Sequence, residues 1–191
     1  DIRLVSRERG IKIELENPPQ TAFVDGHIVT GIHEHIFSVI RDILFICQKY
    51  EKNLQEPKLI ALEGWRKTKS VTDKDRNTPE NRKMAKLLTA MSVVIPTNGY
   101  ILYADNNPDT SDGDHAHIFY DFYSFDIGKP TSGYNKVKSG VGYKEHKQGF
   151  IAYNITNKSQ KITRANGQKH QVEAKSGLFC KDVGSKAECL S

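Results

Sequence analysis

The stretch Asp105-Asn106-Asn107-Pro108-Asp109-Thr110-Ser111-Asp112-Gly113-Asp114 is a loop dense in oxygen donors. Asp105, Asn107, Asp109 and Ser111 recur at every second position, a spacing with which a loop wraps a hard cation such as calcium. On that reading the ligands are Asp105, Asn107, Asp109, Asp112 and Asp114, and calcium is the one cofactor expected. The stretch departs from the EF-hand pattern: Thr110 stands where the turn needs glycine, and Ala116 stands where a bidentate glutamate would close the shell. The competing reading is a polar loop between two strands, held by Asx turns. His115 and His117 follow at i, i+2 spacing, which puts both imidazoles on one face of a strand. With Asp114 or Asp121 they suit a transition metal, against the plainer reading of two surface histidines.

Two further sets carry chemistry. Arg7, Arg9, Lys12 and Arg41 converge on a phosphate if the opening strand and the helix after it pack face to face. Otherwise they are exposed charges paired with Glu8, Glu14 and Asp42. Of three cysteines, Cys47 sits on an apolar helix face as a small hydrophobe, whereas Cys180 and Cys189 flank a Lys/Gly/Ser-rich loop. That pair closes a small disulfide loop in an oxidising compartment and stays as two thiols in a cytosol. It lacks the CxxC spacing of a zinc site. There is no serine elbow, and Asp121 and Asp126 point to opposite faces of their strand, so they make no acid–base pair.

The elements that must position these groups fall into two modules. Residues 2–17 read as one strand, with Ile11, Ile13 and Leu15 alternating on it, and Pro18-Pro19 ends it for want of N–H donors. Asp25-Gly26 suits a tight hairpin turn between 22–24 and 27–29. From Gly31 the period becomes helical, with Ile32, Ile36, Ile40, Ile43 and Cys47 on one face. A polar stretch, 59–77, reads as a linker after its short apolar start at Leu59–Leu62. Thr78-Pro79-Glu80 opens a second helix as cap, first-turn proline and acid at the positive dipole end. Met84, Leu87, Leu88, Met91, Val94 and Ile95 give it an apolar stripe. Strands are expected over 100–104, 117–127, 149–156 and 160–164, with loop over 128–138 and a tight turn at Asn166-Gly167 returning the chain through 168–174. The expected class is α+β: a strand–hairpin–helix segment over 1–58, the linker, and a helix packed on an antiparallel sheet over 78–191.

Composition narrows the partners. Lys plus Arg total 28 against 23 acids, for a net charge of +5. That suits a solvated surface with weak attraction to phosphate-bearing partners, and no basic run is dense enough to argue for nucleic acid. No apolar run is long enough to span a bilayer, and no secretory signal opens the chain, although a start at Asp1 suits a processed terminus. The expected home is cytoplasmic, or periplasmic or secreted if Cys180 and Cys189 are oxidised.

Arg7-Glu8-Arg9-Gly10, Lys12, Glu14-Leu15, Asn17-Pro18-Pro19, Ala22-Phe23-Val24-Asp25-Gly26, Phe37 and Arg41-Asp42-Ile43-Leu44-Phe45 stand in one register that resembles the N-terminal domain of the bacterial pyrimidine/purine nucleotide monophosphate nucleosidases. The resemblance implies an accessory domain in an enzyme regulated by guanosine alarmone nucleotides, whose catalytic LOG-type part carries a PGGxGT phosphate loop followed by a glutamate. This sequence has no such loop, and Gly140 and Gly142 lie in SGVGYKEH, without the helix opening a phosphate cradle needs. The pattern ends after Phe45, as in a truncated or chimeric product. Three functions follow as expectations. The first is a non-catalytic nucleotide-sensing or protein-interaction module, with a protein partner or homo-oligomer. The second is an extracytoplasmic, pilin-like structural protein with a calcium loop and a C-terminal disulfide. The third is a metal-dependent hydrolase using His115 and His117.

Overall fold

The computed structural model describes residues 2–7, 10–15, 27–29, 41–42, 44–45, 48–49, 51, 60–67, 78–106, 115–116 and 119–190. The stretch 2–17 expected as one strand is instead two: β1 (Ile2–Arg7) and β2 (Gly10–Leu15) form an antiparallel hairpin in which Ile2 faces Leu15 and Arg7 faces Gly10. Strand β3 (His27–Val29) pairs parallel with β4 (Ile60–Lys67), and β4 pairs parallel with β5 (Gly99–Asn106). A short β6 (His115–Ala116) lies antiparallel on the outer side of β5. Part of the 59–77 stretch read as a linker is therefore strand. His27–Val29 takes a parallel partner in β4, while Asp25 and Gly26 lie outside the described residues. Parallel neighbours need a long crossover, and helix α1 (Pro79–Val94) supplies the one between β4 and β5.

The rest is α+β, built on a five-stranded antiparallel sheet. It runs β13 (Lys186–Cys189), β12 (Ser176–Val183), β9 (Gly149–Asn154), β8 (Val141–His146) and β7 (Asn135–Lys138). A separate hairpin, β10 (Gln160–Thr163) with β11 (Lys169–Val172), turns at Asn166-Gly167 as expected, with Gly167 at φ +83°. Two-residue alternation gives the large sheet two buried faces. Ile151, Tyr153 and Phe179 join the α1 side with Leu87, Leu88 and Met91. Phe150, Ala152 and Cys180 join the other side with Ile162 and Val172 of the hairpin.

Local chemistry explains α1. Thr78 Oγ1 accepts the Asn81 N–H at 3.2 Å, Pro79 takes the first helical position, and the helix stops before Pro96. The stripe alone would leave one face wet, yet every residue from Ala85 to Ser92 is buried. The polar ones are satisfied inside: Thr89 donates to Ala85 O at 2.7 Å, Ser92 to Thr89 O at 2.8 Å, and Lys86 Nζ to Leu190 O at 2.6 Å. At one point α1 touches the sheet backbone itself. A Cβ built on Gly177 would overlap the Lys86 carbonyl oxygen and the Ala90 methyl. Gly177→Ala is expected to lower stability by about 1–3 kcal/mol in thermal melts, because helix or strand must move away. Gly133→Ala, where an added methyl meets nothing, is the control and should melt like the wild type.

Two further segments differ from expectation. Within the expected strand 117–127, Asp121–Ser124 is a 3₁₀ turn closed by Tyr123 N–H to Tyr120 O at 3.0 Å. Aromatics at adjacent positions do not choose a face, and here they pack on each other. Tyr120 and Phe122 stack at 5.1 Å, Phe122 lies 5.6 Å from Phe179, and Arg82 pairs with both oxygens of Asp121 at 2.7 and 2.9 Å. Asp126 is not on a strand either: its carboxylate accepts the Gly128 N–H at 2.8 Å in an Asx turn. Within the expected loop 128–138, Asn135–Lys138 is the exposed edge strand β7, whose pairing to β8 shifts register between Lys136 and Lys138.

Candidate functional site

Where α1 ends, the chain leaves a cleft of ≈ 430 Å³. Gln48, Thr97, Asn98, Lys129, Ser132 and Tyr134 are among its walls, and Lys144 stands in its floor. Three elements meet there: the helical segment that includes Gln48, the turn after α1, and the loop before β7.

Lys144 is on β8, on the side facing α1, and is 1% exposed. Its Nζ donates to Val93 O at 2.7 Å and to Pro96 O. It therefore satisfies carbonyls that the end of α1 leaves open, at the negative end of the helix dipole. Desolvation pushes its pKa down from 10.5 to about 8, opposed by the negative charge of Glu51. Glu51 is itself buried and held: Oε1 accepts the Thr97 N–H and Oε2 the Thr97 hydroxyl, both at 2.6 Å. Tyr134 closes another wall. Its hydroxyl meets that of Tyr153 at 2.9 Å, and its ring takes the edge of Phe45 at 5.0 Å. Burial raises the pKa of both tyrosines, so both stay neutral at physiological pH. Ser132 Oγ is occupied by the Glu145 N–H at 3.0 Å and the Asn135 amide at 2.8 Å. Among the described residues the polar lining of the cleft thus includes Lys129, the already bonded Lys144, and the hydroxyls of Thr97, Ser132 and Tyr134.

A second constellation lies on the opposite face of the same sheet. The Arg164 side chain, 4% exposed, reaches Glu145 at 2.7 Å and Asp182 at 2.5 Å, and its guanidinium lies 4.4 Å from the centre of the Phe150 ring. The Arg164 contact holds the Asp182 carboxyl below its usual range. Cys180 and Cys189 are directly opposed across the β12–β13 pair and are joined by a disulfide. His170 packs on Phe150 with ring centres 4.6 Å apart.

Of the residues singled out for phosphate, Arg41 is described in full. It pairs with its neighbour Asp42 at 2.6 Å and reaches Ser139 Oγ at 3.5 Å, across to the large sheet. Arg7 and Lys12 lie on β1 and β2, and Arg9 is outside the described residues. Of the calcium set, Asp105 is on β5 opposite Ala116, while Asn107, Asp109, Asp112 and Asp114 lie outside the described residues. His115 is on β6, and His117 is likewise outside. Lys144, Glu51, Arg164 and His170 escaped the sequence reading. Their partners stand far along the chain, and only the run Val141–Glu145 at strand spacing hinted that Lys144 and Glu145 face opposite ways.

Residues 1–50 match the family model described as pyrimidine/purine nucleotide 5′-monophosphate nucleosidases. The opening segment is nucleosidase-related. Over 59 residues the chain is 46% identical to the pyrimidine/purine nucleotide 5′-monophosphate nucleosidase of Escherichia coli K12, and the figures are the same for that of Escherichia coli O157:H7. This stretch covers 31% of the chain and 13% of the relative. The chain thus spans a small part of the curated relatives it matches, and no solved structure matches it. Among the described residues no helix is long and apolar enough to cross a membrane. Gln48, which lines the cleft, falls inside the matched segment, as does Phe45, which packs on Tyr134.

Proposed function

We propose that the chain is a non-catalytic, nucleotide-sensing module in which the nucleosidase-related segment and the large sheet together hold a nucleotide phosphate in the cleft beyond α1. The observation that carries this reading is the shared wall: Gln48 from the matched segment faces Lys129 and Lys144 from the rest of the chain. Net positive charge supports anion binding in general, and Lys129 at a concave site supplies it locally, with the buried Lys144 behind it. The sequence holds no PGGxGT stretch, which supports sensing over turnover. The relatives' names supply the ligand class, nucleoside 5′-monophosphates.

Calorimetric titration of the full chain with a panel of nucleoside 5′-monophosphates tests it. Saturable binding is expected, weakened at least about tenfold in Lys129→Ala, since a charge-assisted contact contributes about 1.5–3 kcal/mol. Absence of binding at millimolar nucleotide would refute the site, and release of free base would refute the non-catalytic role.

A further inference from the structure

The second constellation carries an inference independent of the nucleotide reading. A ring nitrogen of His170 and the sulfurs of Cys180 and Cys189 all lie within 4.8 Å of one another. We propose that reducing the Cys180–Cys189 bond turns this cluster into a zinc site, with two thiolates and the His170 imidazole as ligands and the fourth position open to water.

The redox balance is simple. A dithiol reductant delivers two electrons and two protons, the S–S bond breaks to two thiols, and the dithiol closes to its own disulfide. Zinc then displaces the two thiol protons and binds the thiolates. In a tetrahedral site with Zn–S bonds of about 2.3 Å, the two sulfurs sit about 3.8 Å apart. The three ligand atoms start within 4.8 Å of one another, so the sulfurs must separate and the ring nitrogen settle at about 3.5 Å from each. Cys180 is fixed in β12 between β9 and β13, whereas Cys189 is exposed on β13, which is the edge strand of the sheet among the described residues.

Two further features fit. His170 Nε2 is buried with no hydrogen-bond partner among the described residues, which leaves its lone pair open to an ion or a water. The charged groups that act on His170 are Arg164, Asp182 and Glu145, which sum to one negative charge and favour a dication. Thiolate pairs select zinc over the hard cations magnesium and calcium.

The test uses the full chain, reduced with dithiothreitol and desalted under argon, titrated with zinc against a chromophoric chelator. Cobalt is substituted in parallel to read thiolate-to-metal charge transfer. About one tight zinc per reduced chain is expected, with none in the oxidised chain. His170→Ala should weaken binding by more than the roughly 10–100-fold that loss of an outer-sphere partner costs. Cys189→Ser, at the exposed edge, should abolish the charge-transfer band contributed by that sulfur and is the deciding variant if His170→Ala misfolds. Equal zinc affinity in the wild type and Cys189→Ser, or no zinc uptake by the reduced chain, overturns the proposal.

Discussion

Arg164→Met is expected to destabilise the protein by about 3 kcal/mol, the cost of removing one partner from a buried ion pair. The guanidinium holds Glu145 with Nε and Nη2 and Asp182 with Nη1 and Nη2, and it donates further to Gln168 Oε1 at 2.9 Å. Without it, Glu145 is left at 15% side-chain exposure with no cation among its described contacts. Asp182, at 32%, keeps access to water, so its share of the loss is small. In a chain of this length the loss corresponds to about 6–12 °C in melting temperature. Arg164→Lys should recover little, because a point ammonium cannot fork between two carboxylates while lying flat on Phe150. Adding Glu145→Gln to Arg164→Met should restore part of the stability, since the orphaned charge goes with it. Thermal and urea unfolding of the wild type, Arg164→Met, Arg164→Lys, Glu145→Gln and the double variant measures this. Additive losses across the pair would show that the two side chains do not act together.

The same cluster shows how far a sequence can be read. Thr78-Pro79-Glu80 announces α1 because capping is local, and Asn166-Gly167 announces the β10–β11 turn because positive φ is a property of those residues alone. A short apolar run likewise marks β9, which is buried on both faces. Arg164 instead sits in an unremarkable polar run, and its carboxylate partners stand 18 and 19 residues away. Ile60–Lys67 looks like a linker because a glycine and charged residues break its pattern, yet it lies between two parallel strands. Parallel pairing comes from tertiary neighbours, which local pattern does not encode. The α1 stripe was legible, but burial of its polar residues was not. That depends on the carbonyls of Ala85, Thr89 and Leu190 being within reach. The candidate cleft is illegible for the same reason. Gln48, Thr97 and Lys144 share no motif, and only the packing of the matched segment against the large sheet brings them together.

Raising the pH from about 7 to about 10.5 should stabilise the wild type relative to Lys144→Met by about 3 kcal/mol. Folding buries the Lys144 ammonium, and desolvation lowers its pKa from 10.5 to about 8. Between those values the unfolded chain binds more protons than the folded one, so stability rises with pH there. The contribution is complete above the unfolded value and is lost as pH falls through about 8. About 1.3 kcal/mol of the rise should appear by about pH 9. His146, which Lys144 also influences, does not confuse the comparison. Desolvation holds its imidazole below 6.5, and it is already neutral where the window begins. Glu51 limits the slope, since its carboxylate favours the charged ammonium. A further Glu51→Gln change should therefore steepen the dependence at lower pH, with the Lys144 pKa falling further. Urea unfolding at stepped pH gives the two curves. If they run parallel, Lys144 titrates as it does in water, and its two carbonyl contacts do not isolate it from solvent.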